Sequence, residues 1–340
     1  MSQSCLVTQQ RALLQSFLAA VSAFAVLALG AFAADPVLVP APTNQESSQR
    51  SPPQVIHDVA YRDLYEGEDA SQDKNKVDVY IPRGQKEFPV IFFVHGGAWY
   101  HGNKNQFGIY SALALSWARH GIGTVSVNYR LSPGVKHPEH IKDVARAFAW
   151  TRKNIHNYGG RPDQIFVCGH SAGGHLVSLL ATDEKYLRAE GLSLKDIRGA
   201  MPISGVYRIH DIQLNAGIPP ARGANGSNSA HGHSAAPPFS SVFGNDMEIR
   251  REASPLVHVK PGVPPFLVLY ADHDLMMLPD MAREFASVLK QQKCEMEAVE
   301  VKQRNHMSIL WNITQEGDPA GRAILEFVAK QTQRQLRAGE

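Results

Sequence analysis

Residues 164–176 read Gln-Ile-Phe-Val-Cys-Gly-His-Ser-Ala-Gly-Gly-His-Leu. An apolar run of strand type meets Gly169-His170-Ser171-Ala172-Gly173, and a helical pattern follows at once. This is Gly-x-Ser-x-Gly in the setting its chemistry requires, strand then sharp turn then helix. The turn folds back so tightly that a Cβ at position 169 or 173 would collide with neighbouring backbone, which is why both are glycine. The strained turn projects the Ser171 hydroxyl from the end of a sheet. The helix beginning near Ala172 aims its N-terminal N–H groups at the space above that hydroxyl. The same five residues can also arise by chance in a loop, so their meaning depends on the rest of the chain.

The rest of the chain alternates between strand and helix signals. Val55–Tyr61 and Val77–Ile81 alternate in polarity and suit early, edge-side strands, the second stopped by Pro82. Pro89–Val94 is continuously apolar, as a strand buried on both faces must be, and runs into His95-Gly96-Gly97-Ala98-Trp99. A helix over Ala112–His120, capped by Gly121, precedes a strand over Ile122–Tyr129. Pro138 opens an amphipathic helix with Ile141, Val144, Ala145, Phe148 and Ala149 on one face, and Gly159-Gly160 ends it. After the Ser171 turn come a helix over Gly174–Ala181 and strands over Ile197–Ile203 and Pro265–Tyr270. A helix over Asp280–Gln292, a strand over Met296–Val301 and a last helix from Ala320 to about Leu336 complete the pattern. Such alternation predicts an α/β fold with a mainly parallel sheet covered by helices on both faces. Ligands of such sheets gather at the carboxyl ends of the strands. Ser171, Asp274, His306 and the His95-Gly96-Gly97 stretch all directly follow strands, so they converge on one edge.

Composition and the N-terminus bound the setting. The chain has 340 residues, 44% apolar and 19% charged, with a formal net charge of +2. Charge is not gathered into a block, which argues against a nucleic-acid surface. Arg11 is the only charged residue before Asp35, and an Ala-, Leu-, Val- and Phe-rich run ends in Ala31-Phe32-Ala33. Residues 1–33 therefore read as a signal peptide with an Ala-x-Ala cleavage site after Ala33, which implies a secreted or periplasmic protein. The competing reading is an uncleaved membrane anchor, but Gln15, Ser16 and Ser22 interrupt the apolar run. Contact with a membrane is expected only in that second case. Residues 34–54 read as a flexible linker and residues 55–340 as the folded domain. A Gly-, Ser-, Ala- and Asn-rich stretch at 219–238 reads as a surface insertion. Its His231 and His233 lack the carboxylate or thiol company of a metal site. Cys168 reads as a small buried hydrophobe within its strand.

The order Ser171, Asp274, His306 is the chain order of α/β-hydrolase triads. With His95-Gly96-Gly97-Ala98-Trp99, Asn128-Tyr129-Arg130-Leu131-Ser132-Pro133, Gly169–His175 and Ala253-Ser254-Pro255, the region from about Val55 to Leu336 resembles the α/β-hydrolase superfamily. The resemblance is to the esterase branch shared by hormone-sensitive-lipase-like esterases, feruloyl-esterase-like proteins and kynurenine formamidases. His-Gly-Gly-x-Trp in place of His-Gly-Gly-Gly leans toward the last two groups. The resemblance implies Ser171 as nucleophile, His306 as base and Asp274 as the acid that orients it. It implies an oxyanion hole from backbone N–H groups of Gly96, Gly97, Ala98 and Ala172. Asp272 and Asp280 compete with Asp274, and His273, His258 and His175 compete with His306. Trp99 and His170 are candidates for a substrate pocket; the alternative for Trp99 is simple packing, and residues placed like His170 are more often structural, packing or bonding within the turn. His95 is expected to brace the oxyanion turn, and Arg130 and Asp143 to make scaffold contacts. This chemistry needs no metal or organic cofactor. The implied partner is a small-molecule substrate, either a small or medium carboxylic ester or, as the alternative, the formamide N-formylkynurenine. An inactive α/β-hydrolase used as a binding module fits less well, because every triad and oxyanion position is present.

Overall fold

The apolar run at Phe88–Val94 becomes the strand around which two hydrophobic layers form. In the computed structural model, which describes residues 52–69, 73–209 and 239–333, eight strands make one sheet. They are β1 (Gln54–Ala60), β2 (Lys76–Ile81), β3 (Phe88–Val94), β4 (Gly123–Val127), β5 (Gly160–His170), β6 (Gly199–Ile203), β7 (Phe266–His273) and β8 (Met296–Asn305). Their spatial order is β1-β2-β4-β3-β5-β6-β7-β8. From β4 to β8 all neighbours are parallel, while β2 runs antiparallel to both β1 and β4. The longer helices are α1 (Ile109–Arg119), α2 (Glu139–Asn154), α3 (Ala172–Thr182), α4 (Leu278–Gln291) and α5 (Pro319–Thr332). The expected signal segment, nearly all of the linker and the 219–238 insertion lie outside the described residues. This is the α/β-hydrolase fold.

Alternate side chains of a strand point to opposite faces, and the core is divided accordingly. Val90, Phe92 and Val94 of β3 pack with Ile165 and Val167 of β5 beneath α2, α3 and α4, through residues such as Phe148, Leu176 and Phe285. Ile91 and Phe93 pack with Phe166 and Cys168 on the other face, against Leu113 and Trp117 of α1 and Ile324 and Phe327 of α5. The central strands are buried on both faces, which is why their sequences read as unbroken apolar runs.

Several boundaries differ from the expectations in an instructive way. Strand β7 continues to His273 and β8 to Asn305, with His273 opposite Asn305. These last residues are polar and lie beyond the core, so hydrophobic periodicity does not report them. Helix α3 begins at Ala172, as the elbow reading expected, although Gly173 and Gly174 carry no side chain and the apolar pattern shows only from Gly174 on. The helix opened by Pro138 ends as an α-helix at Asn154 and tightens into a 3₁₀ turn over Ile155–Tyr158 before Gly159.

Buried charge locks α2 to the end of β4. Arg130 meets both carboxylate oxygens of Asp143, at 2.7 and 2.8 Å, and its own N–H donates to Asp143 at 3.0 Å. Arg130 also reaches Glu139 at 2.9 Å. Both residues are scaffold, as anticipated. Such bidentate pairs are strong in geometry but punishing when broken, because the partner stays buried and uncompensated. Asp143→Ala is expected to lower unfolding free energy by about 3–5 kcal/mol, read as a fall in the urea midpoint at unchanged slope.

Four buried histidines and the half-buried His137 weigh on the fold's stability in acid. Burial pushes His95, His137, His140 and His170 down to about 3 and His175 to about 4. In the unfolded chain each would titrate near about 6.5. At neutral pH both states are uncharged and no penalty exists. As pH falls below that unfolded value, only the unfolded chain takes up these protons, so stability falls with pH until the folded values are reached. Each histidine contributes up to about 1.4 kcal/mol per pH unit in that window. Thermal denaturation at fixed ionic strength is expected to show a steep loss of Tm between about pH 6.5 and 4. A flat profile there would contradict the burial of these groups.

Candidate active site

The turn between β5 and α3 forms because two glycines allow three backbones to share one space. A Cβ at Gly173 would overlap the carbonyl oxygens of Val94 and His95, and one at Gly169 would overlap the backbone of Gly173. Ser171, between them, is held at φ 56° and ψ −117°, a conformation costly for a side-chain-bearing residue. Its N–H donates to the Ile203 carbonyl at 2.9 Å, and its carbonyl accepts the His175 N–H at 3.0 Å. The hydroxyl is thereby fixed at the carboxyl edge of the sheet.

The residue that follows β8 reaches it. His306 Nε2 lies 2.9 Å from Ser171 Oγ, and His306 Nδ1 lies 2.6 Å from Asp274 Oδ1. A carboxylate only accepts, so Nδ1 carries the imidazole proton and Nε2 offers its lone pair to the serine hydroxyl. The side chain of Asp274 is fully buried. Burial alone would raise its pKa, but hydrogen bonds from His306, Ser204 and the Leu275 N–H outweigh this and hold it below the ordinary value. Oδ1 also accepts the Leu275 N–H at 2.8 Å, while Oδ2 accepts the Ser204 hydroxyl at 2.5 Å and the Ala271 N–H at 3.4 Å.

The competing residues are placed elsewhere. Asp272 accepts the Arg304 N–H and sits beside His273 Nδ1. Asp280 is exposed and paired with Arg283. His258 Nε2 donates to the Glu252 carbonyl. His175 is buried, donating from Nε2 to the Ala253 carbonyl at 2.7 Å and accepting the Trp99 indole N–H at Nδ1, 3.2 Å away. Trp99 is itself 3% exposed and packed edge-on against Phe243 and Phe239. His170 is also buried, and its Nε2 donates to the His306 carbonyl at 2.8 Å, with the two rings 4.7 Å apart. The structure thus gives Trp99 and His170 packing and bracing contacts behind the reactive groups.

The turn after β3 lies against Ser171, since a Cβ at Gly96 would come within 3.2 Å of the Ser171 Cβ. His95 stacks on Tyr129 at 4.4 Å and donates from Nδ1 to the Gly96 carbonyl at 2.7 Å, bracing the turn. The Gly96 N–H donates to the Tyr110 hydroxyl at 3.2 Å. Of the four N–H groups expected to face an oxyanion, this one is engaged in the wall of α1. Gly97 and Ala98 are exposed and have φ of 111° and 53°, and Ala172 opens α3. These three are what is left of the expected set once the Gly96 N–H is engaged.

Two participants were missed in the sequence, Ser204 and Tyr110. Ser204 directly follows β6, with φ 50° and 1% exposure. The same placement after a strand that marked the other residues could have marked it, but a lone serine carries no motif. Tyr110 lies on α1, and only tertiary packing brings it to Gly96.

Comparison with known proteins bears on the family and the fold. The BD-FAE family model matches residues 77–289. "Probable carboxylic ester hydrolase LipM" of Mycobacterium tuberculosis is 36% identical over 217 residues, 60% of this chain and 45% of that protein. "Esterase LipC" of the same organism is 33% identical over 208 residues, 60% of this chain and 49% of that protein. "Probable isoprenylcysteine alpha-carbonyl methylesterase ICME" of Oryza sativa subsp. japonica is 32% identical over 164 residues, 47% of this chain and 37% of that protein. The chain spans less than half the length of each of these relatives. Among solved structures, a truncated carbohydrate esterase from gut microbiota superposes with a TM-score of 0.63 at 17% identity, covering 83% of this chain and 97% of that one. Esterase B from Lactobacillus Rhamnosis superposes at 0.64 and 16% identity, covering 84% and 88%. At such identities the solved structures speak for the fold, whereas the family match spans both the oxyanion turn and the Ser171 elbow and reaches past Asp274. On that match the chain belongs to the BD-FAE family, carried on the α/β-hydrolase fold.

Proposed function

We propose that the protein is a serine hydrolase that cleaves a small or medium carboxylic ester through an acyl-enzyme on Ser171. The observation that carries this reading is His306 bridging Ser171 Oγ and Asp274 in a single chain of hydrogen bonds. The curated relatives named as carboxylic ester hydrolase and esterase support the choice of an ester bond.

The chemistry follows from the geometry. As Ser171 Oγ attacks the ester carbonyl carbon, its proton passes to His306 Nε2, and the carbonyl π pair moves onto oxygen. The imidazolium so formed is stabilised by Asp274, which also fixes the ring orientation. The oxyanion is met by the N–H groups of Gly97, Ala98 and Ala172, a set of donors that needs no reorganisation as charge develops. Collapse breaks the C–O bond, and the departing alkoxide takes the proton from His306. Water then repeats the sequence on the acyl-serine, releasing the acid and restoring Ser171. The buried His170 stays neutral beside the imidazolium, so it braces the His306 carbonyl without adding charge.

We further propose that residues 1–33 direct export and are removed, on the strength of their Ala-, Leu-, Val- and Phe-rich run and the Ala31-x-Ala33 site.

The test is a parallel assay of p-nitrophenyl acetate and butyrate, a feruloyl ester and N-formylkynurenine. Ester turnover is expected, with kcat lost by at least about 10⁴-fold in Ser171→Ala. A fluorophosphonate is expected to label wild type at Ser171 and leave the variant unlabelled. A strong preference for the formamide would replace the ester reading, and equal labelling of both proteins would remove Ser171 as nucleophile. Ser204→Ala removes a charge-assisted hydrogen bond to Asp274 and is expected to lower kcat by roughly tenfold with KM little changed. Full activity in that variant would reduce Ser204 to a packing residue.

A further inference from the structure

Lys104 lies eight residues beyond Gly96, on the return arm of the oxyanion turn, and every polar part of it is held. Its ammonium lies 2.7 Å from Asp58 and 3.0 Å from Asp78, a carboxylate 1% exposed on β2. Its N–H donates to the Asn128 side-chain oxygen at 2.6 Å, and its carbonyl accepts the Ser126 hydroxyl at 2.7 Å. Asp78 and Ser126 face each other across β2 and β4, so with Asp58 on β1 and Asn128 just past β4 one residue is clamped to three neighbouring strands at four points. Asp78 is further tied by the Asp58 N–H at 2.9 Å and by His57 Nδ1 at 3.0 Å.

The clamp is transmitted inward by close backbone contact. The Gly97 carbonyl accepts the N–H groups of Tyr100 and His101 at 3.0 and 2.9 Å, which closes the turn on itself. A Cβ at Gly97 would overlap the His101 carbonyl, and one at Gly102 would lie 2.6 Å from the Gly96 carbonyl and 2.7 Å from His95 Nδ1. The return arm is therefore packed directly beneath the arm that bears Gly97 and Ala98. Lys74 adds a hydrogen bond to the Gly102 carbonyl at 3.1 Å.

A surface loop does not need a buried lysine between two carboxylates to stay folded, since desolvating such groups is costly. Backbone donors for an oxyanion, in contrast, must be placed to a fraction of an ångström, because a displacement of about 1 Å can cost about 10²-fold in rate. We propose that Lys104 is a positioning residue for the oxyanion donors Gly97 and Ala98, anchoring their turn to the β2–β4 edge through Asp58 and Asp78. The inference rests on the serine-hydrolase reading above and adds to it a cause for the donors' placement. Lys104 touches neither Ser171 nor the other triad members. It acts by fixing the loop, so its loss falls on the charge-developing step more than on substrate binding.

The experiment compares wild type, Lys104→Met and the double variant Lys104→Met/Asp78→Asn. The double variant removes the charge that Lys104→Met alone would strand in the interior, so it is the form expected to remain folded. Active sites are counted by fluorophosphonate titration, and kcat is expressed per titrated site. For the folded variants kcat on p-nitrophenyl acetate is expected to fall by about 10-fold or more, with KM within about twofold. The Ki of a trifluoromethyl ketone, which forms the oxyanion adduct on Ser171, is expected to rise by the same factor. Asp58→Asn, at a half-exposed carboxylate, is expected to move both quantities in the same direction by a smaller factor. A purely structural role would reduce the number of titratable sites and leave kcat per site and Ki unchanged. That result in the double variant would overturn the proposal. Absence of ester turnover and of Ser171 labelling in wild type would instead overturn the serine-hydrolase reading, so the two failures are separable.

Discussion

The structure depends on a near-collision of main chains. Gly173 lies so close to the Val94 and His95 carbonyls that no side chain fits between them. That proximity brings the end of β3, and hence the Gly97–Ala98 turn, alongside the start of α3. It also forces Ser171 into its strained backbone conformation. The strain is sustained because burial of the central sheet over-determines it, with β5 hydrogen-bonded to β3 on one side and β6 on the other.

Around that point, each reactive group is held by something that does not react. Asp274 receives four hydrogen bonds, one each from His306, Leu275, Ser204 and Ala271. The His306 carbonyl is tethered to His170, the residue that precedes Ser171, so the elbow and His306 share a direct link. His95 and Tyr110 hold opposite sides of Gly96. Several of these supports are histidines that burial keeps neutral. Neutral imidazole supplies one donor and one acceptor without placing a charge in the apolar interior. The cost of using so many of them is borne in acid, where the unfolded chain gains protons that the folded one refuses.

Lys104 and its carboxylates do the comparable work from the far side of the turn. The edge strand β1 and its neighbour β2 lie on the side of the sheet away from β7 and β8. Asp58 at the bulged part of β1 and Asp78 on β2 connect that edge to the turn nearest Ser171. The β1 and β2 side of the sheet thus has a route of contacts to the turn beside Ser171.

Much of the fold was legible in the sequence. Continuous apolar runs marked the strands buried on both faces, and Gly-x-Ser-x-Gly between strand and helix marked the turn. Ser171, Asp274 and His306 were identifiable because each follows a strand in the order such triads take. What stayed hidden has a common physical origin: the contribution comes from contact between distant segments and leaves no local pattern. Ser204 and Tyr110 are single polar residues without a motif, and the polar ends of β7 and β8 carry no hydrophobic period. The engagement of the Gly96 N–H by Tyr110, the burial of Trp99 behind the site and the attachment of Lys104 to Asp58 and Asp78 also needed the folded chain. Sequence alone determined which residue types occupy the strand ends, because that information is local. Tertiary structure decided which backbone donors stay available and what holds them, because hydrogen-bond partners tens of residues apart are chosen only when the sheet is assembled.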